Sequence, residues 1–227
     1  MLLGDLRRSR ALHAQALAGE LALEQRHRVF RLVGGLAELA LVEGNYAEAG
    51  RLAQEGLALC RQRNSPVEIA WLLTCLGEIA IRRGDFTAAH AALDEALALD
   101  RLAGFFRRVV TARADLGDLA AAEGKPREAL RLYRETLPIL LQRGIFAHPP
   151  GSLRLACLAS VVGQQETAVT LLGACAKAVD SGLEVLLPIT QADFDAALAA
   201  GQAALEAGAF EAAQTAGRSL SPQAAAI

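Results

Sequence analysis

Three acidic residues recur at matching places in this chain, Glu38, Glu78 and Asp118, each 40 residues after the last. Equal spacing on similar helices sets them along one edge, where they act either as ordinary solubilising charge or as an acidic strip that orients a cationic segment of a partner. Arg31, Trp71, Thr74 and Arg82 lie close by in sequence and supply mixed polar and aromatic contacts to the same candidate groove. Trp71, the single tryptophan, is read either as an exposed anchor or as a core edge.

Other residue types that do chemistry are present without the spacing that chemistry needs. His13, His27, His90 and His148 are scattered, and none has a carboxylate or cysteine partner in a ligand pattern such as HExxH. Cys60, Cys75, Cys157 and Cys175 lie in apolar helical segments with no CxxC or CxxH spacing, as expected of small buried thiols in a reducing cytoplasm. Ser65 and Ser152 sit in turns outside any GxSxG elbow. The segment LVGGLAE has neither a GxGxxG loop nor a P-loop lysine, so it belongs inside a helix pair and not around phosphate. No catalytic residue, metal site or cofactor is expected.

The elements that would carry such a groove are announced by glycine. Gly4, Gly44, Gly84, Gly124, Gly163 and Gly208 fall at intervals of 40, 40, 40, 39 and 45. Each is followed at the fifth position by a small residue: Ser9, Ala49, Ala89, Ala129, Ala168 and Ala213. This periodicity predicts an all-α chain, a right-handed superhelical solenoid of antiparallel helix hairpins with a unit of about 40 residues. Between Val67 and Asp100, Leu72, Leu73, Leu76, Ile79 and Ala80 make one apolar face. Phe86, Ala89, Leu93, Ala96 and Leu97 make the second, at helical spacing. Gly84 is predicted to end the first helix in the left-handed conformation, Asp85 to cap the second and Phe86 to wedge between them. Gly77 and Gly117 are expected to admit a close partner helix, met by Ala89 and Ala129 from the other side.

Residues 1–145 read as these repeats, the first lacking its leading helix, which is expected of a segment of a longer protein. From Pro138 onward the pattern loosens, and 146–220 read as divergent repeats or a cap on the same solenoid. Net charge is −2, from 23 basic and 25 acidic residues, which gives no general attraction for nucleic acid. The arginines at 7, 8 and 10, and at 107 and 108, read as solvated faces. No apolar run approaches the roughly 18 residues of a membrane span, and the start lacks a signal-peptide core. A cytoplasmic protein without a membrane partner is expected.

The segments LLTCLGEIAIRRGDFTAAHAALDEALALD and ARADLGDLAAAEGKPREALRLYRETLPIL resemble tetratricopeptide repeats. The 40-residue unit, longer than the usual 34, is similar to the repeat region of maltose-regulator-like proteins and related bacterial signal-transduction ATPases. AVTLLGACAKAVDSG and the stretch from ITQADFDAALAAG to GRSLS resemble the C-terminal end of such regulators. The resemblance implies a non-catalytic module that docks another protein or peptide, or a neighbouring domain of the same parent. A small-effector sensor and a stand-alone scaffold are the alternatives. ATPase and DNA-binding activities would belong to other parts of such a parent. Co-chaperone repeats clamp a C-terminal carboxylate with basic and asparagine residues. Here Glu38, Glu78 and Asp118 stand in those places, which argues against that ligand.

Overall fold

The computed structural model describes residues 6–22, 29–142, 150–182 and 186–220. Eleven helices and no strand occur among them. In order they are α1 (Leu6–Ala22), α2 (Val29–Val42), α3 (Tyr46–Gln62), α4 (Pro66–Arg83), α5 (Phe86–Leu102) and α6 (Phe106–Ala122). There follow α7 (Pro126–Gln142), α8 (Gly151–Val161), α9 (Gln165–Asp180), α10 (Pro188–Ala204) and α11 (Ala207–Ser219). The fold class is the expected one, all-α, made of consecutive antiparallel hairpins of a helical repeat. The chain divides into two compact units, residues 1–112 and 113–227. The boundary expected at 145/146 lies outside the described residues, as do Gly4, His27 and His148.

The turns follow from residue type. Gly84 closes α4 at φ 72°, its N–H reaching the Ala80 and Ile81 carbonyls, a conformation that costs a side-chain-bearing residue about 1 kcal/mol. Asp85 then accepts from the Ala88 N–H at 3.1 Å and caps α5. Gly44, Gly124 and Gly163 are left-handed in the same way, and Asn45 caps α3 through the Glu48 N–H. Helices α3, α5 and α7 accordingly start at 46, 86 and 126. Gly208 departs from this ladder. It lies inside α11, and the α10–α11 turn is made by extended backbone at Leu205 and Glu206. The 45-residue interval is therefore not a repeat interval.

Ala89 is 0% exposed. Ala89→Leu is expected to cost about 1–3 kcal/mol by overpacking; denaturant unfolding like the parent's would place that face outside the core. Gly77 and Gly117 do sit at close approaches, but the side chains that fill them differ from the expected alanines. A Cβ on Gly77 would lie 2.7 Å from Leu93, and one on Gly117 2.5 Å from Tyr133. Helical side chains lean toward the N-terminus, so the spot opposite each glycine is covered by the residue one turn beyond the alanine.

In the first unit the core gathers Val33, Leu36, Leu52, Leu57, Leu72 and Leu73 from α2, α3 and α4. Leu6 is buried and Leu17 packs on this core, while Leu12 is 56% exposed. In the second unit Leu153, Leu172, Cys175 and Leu186 form a core. Helix α7 runs on through Pro138, where the sequence pattern loosens, with Leu137 and Leu140 buried on either side. That burial offsets the ~3 kcal/mol a proline costs inside a helix. Helix α11 lies mainly against α9 and hardly touches α10, so the last two helices do not pair as the others do.

Candidate functional site

Two polar arrangements stand out, one in each unit. In the first unit α2 carries Arg31, Gly34, Gly35 and Glu38 at spacings of three and four, and α4 carries Trp71, Thr74, Glu78 and Arg82 likewise. The two strips are joined by ring packing. A Cβ on Gly34 would lie 2.4 Å from the Trp71 ring, and one on Gly35 2.7 Å from the His13 ring of α1. The double glycine that resembles no phosphate loop is thus a seat for two rings, one from each neighbouring helix. Trp71 is half-buried and packs on the core edge, with the rest of its surface open.

The polar groups of this face differ in how far they are engaged. Thr74 donates to the Ala70 carbonyl of its own helix at 3.0 Å. Arg82 and Glu78 form a long i,i+4 pair at 3.9 Å, both partly exposed. Arg31 is exposed. Glu38 reaches solvent, yet the surrounding protein desolvates its carboxyl and raises its pKa, with His13 opposing. The folded chain therefore holds this proton more tightly than the unfolded chain, and stability falls as pH rises above the ordinary glutamate value of about 4.3. Glu38→Gln is expected to raise Tm at pH 7, with the gain vanishing toward pH 4 (about the ordinary value). Thermal melts of both proteins at the two pH values measure it.

In the second unit, Arg154 of α8 is buried, with its side chain 1% exposed. It donates to Asp115 at 2.8 Å and pairs with Asp118 at 2.9 Å, both on α6. Tyr133 of α7 donates to the other Asp118 oxygen at 2.7 Å while its ring covers Gly117. Burial disfavours the Arg154 charge, but Asp118 and then Asp115 more than offset this and hold its pKa above the ordinary value. Burial pushes the Asp115 carboxyl up against the pull of Arg154, and burial with Asp118 pushes up the Tyr133 hydroxyl. Asp118 is thus engaged by both α7 and α8. Asp115 and Arg154 escaped the sequence reading, although their separation of 39 residues is the repeat interval, a signal for contact between successive leading helices.

Other charges read as solvated faces have partners. Arg10 reaches Glu43 at 2.8 Å and Glu48 at 3.1 Å, which raises its pKa, and Arg108 holds the buried Asp100 at 2.7 Å. The four cysteines are free thiols, three of them buried, and burial with nearby Glu68 pushes Cys60 up to about 11.

Residues 68–142, from the first turn of α4 to the end of α7, match a family model described as tetratricopeptide repeat. This stretch is a tetratricopeptide-repeat region. Beyond it, the chain is similar to a crystal structure of BtubC (BKLC) from P. vanneervenii, with 19% identity and a TM-score of 0.59. That likeness covers 94% of this chain and 89% of that one, and at such identity it concerns the fold alone. No curated protein matches the sequence. Tetratricopeptide repeats generally bind proteins or peptides, and a fold of this type is usually without catalytic activity. No helix among the described residues is long and apolar enough to cross a membrane.

Proposed function

We propose that the chain is a non-catalytic interaction module whose α2–α4 face holds a basic stretch of another protein, or of a neighbouring domain of the same parent. The observation that carries this reading is Glu38, a solvent-reaching carboxylate one turn along α2 from the Gly34 that seats the half-buried Trp71 ring, where the surrounding protein also desolvates it at a cost. A cationic side chain bonded to it would relieve that cost, and a charge-assisted bond of this kind contributes about 1.5–3 kcal/mol. Glu78 and Thr74 extend the polar edge, and Arg31 and Arg82 set its ends. The strip runs along α2 and α4 for about two to three helical turns, which suits an extended peptide better than a small effector. The finer role, a segment of a larger signalling or transcription regulator, rests on the sequence resemblance.

Trp71 makes the test direct, because all tryptophan emission comes from this face. Short peptides rich in lysine and arginine are expected to shift that emission, with affinity falling as salt rises. Glu38→Gln combined with Glu78→Gln should weaken binding about tenfold or more. Unshifted emission with every such peptide, or equal affinity of the variant, overturns the reading.

A further inference from the structure

One titratable ring touches the α2–α4 face without belonging to either helix. His13 of α1 is half-buried, and its Nε2 edge lies against Gly35 of α2, 2.7 Å from where a Cβ would stand. Its Nδ1 is 2.9 Å from the Ser9 carbonyl oxygen. A carbonyl oxygen only accepts, so Nδ1 carries the hydrogen and Nε2 is the nitrogen that gains or loses a proton. No hydrogen bond reaches that Nε2 among the described residues. Glu38 lies three residues beyond Gly35 on the same side of α2, and a charge on His13 favours its carboxylate form.

The other charges near this nitrogen are already placed. Arg31 stands one turn before Gly35 on α2 and is exposed. On α1, Arg10 precedes His13 by three residues but is turned to Glu43 and Glu48, and Glu20, two turns on, is buried. The repeat shows what the place of His13 ordinarily holds. Steps of 40 residues lead to Ala53, Leu93 and Tyr133, all buried. Alanine and leucine satisfy the fold there, so packing does not require a histidine. We propose that His13 gates the α2–α4 face by protonation: neutral, it leaves the Glu38 carboxylate to a basic partner, and charged, it takes that carboxylate as its own counterion. The gate rests on the reading of this face as the seat of a basic stretch. Histidine ordinarily changes charge between pH 5 and 8, so mild acid closes it. Two effects then act on a lysine or arginine of the partner. The attraction of Glu38 is partly neutralised, and the imidazolium repels the partner's charge at close range. Glu38 itself takes up a proton more readily than an ordinary glutamate, which acts in the same direction. Substitution of the histidine separates the two.

The test is titration of Trp71 emission with an acetylated peptide rich in lysine and arginine, at fixed salt. Affinity for the parent is expected to fall about fivefold from about pH 8 to about pH 6. The peptide's own charge does not change over that range. His13→Leu puts leucine where Leu93 stands two repeats on. Thermal unfolding should show this variant folded, and its affinity should stay level between the two pH values. His13→Gln, which keeps a polar side chain, should behave alike. A parent with equal affinity at both pH values overturns the proposal. So does a folded variant that keeps the parent's fall, since Glu38 alone would then be the titrating group. Absence of binding at both pH values instead overturns the reading of the face, and the gate with it.

Discussion

Arg154→Ala is expected to destabilise the chain by about 3–5 kcal/mol, the loss seen when one member of a buried ion pair is removed. The arginine is anchored twice, at 2.8 Å to Asp115 and 2.9 Å to Asp118, with its side chain 1% exposed. Removing it leaves two carboxylates three residues apart on α6, one already pushed above its ordinary value by burial. Tyr133 would still donate to Asp118, but the guanidinium charge that the two carboxylates share would be gone. The pH dependence separates this from a simple packing loss. In the variant, loss of the guanidinium should raise both carboxyls, so the folded state binds more protons than the unfolded state above about pH 4. Its stability should then recover as pH falls from 7 toward that value, and urea unfolding at several pH values reads this. Arg154→Met with Asp115→Asn and Asp118→Asn removes the charges together and should lie much closer to the parent. A variant that lost stability equally at every pH would show that Arg154 acts by shape alone.

How far these features could be read from sequence depends on whether one residue or a pair decides them. Gly44, Gly84, Gly124 and Gly163 were legible because a left-handed turn is a property of one position, at φ between 72° and 81°. Gly208, at a wider interval of 45, is helical instead, since the residues before it close the turn in extended backbone. The close approach at Gly77 and Gly117 was legible from an otherwise costly helical glycine. The side chain that fills it was not, because that depends on the lean of Leu93 and Tyr133 across the hairpin. The acidic positions show the same division. Equal spacing makes Glu38, Glu78 and Asp118 equivalent along the repeat, yet their neighbours differ: His13, Arg82, and Arg154 with Tyr133. Position follows the repeat, whereas availability to a partner follows the particular residues on adjoining helices.

Gly217→Ala carries the other large effect, and its sign is the informative part. Inside a helix this change ordinarily stabilises by about 0.8–1.0 kcal/mol, because alanine loses less backbone freedom. On α11 an added Cβ would lie 1.9 Å from the Thr170 carbonyl oxygen and 3.1 Å from the Ala174 nitrogen, both backbone atoms of α9. No rotamer change can move them, so the two helices must separate. Gly173 faces the same seam from α9, where a Cβ would be 2.4 Å from the Gln214 carbonyl oxygen. Separation would also strain the bonds at the end of the seam, Lys177 to the Leu220 carbonyl at 3.0 Å and Arg218 to Asp180 at 2.8 Å. A destabilisation of about 3 kcal/mol is expected, the upper end of overpacking losses. Gly208→Ala, earlier on the same helix, is the matched control, since nothing lies within 4 Å of its added Cβ. It should be neutral or slightly stabilising. Opposite signs for these two substitutions in denaturant unfolding would identify backbone contact with α9 as what holds α11 in place, in a part of the chain where the hairpin pairing of the earlier repeats has lapsed. Equal, small effects would mean that the seam can open at little cost.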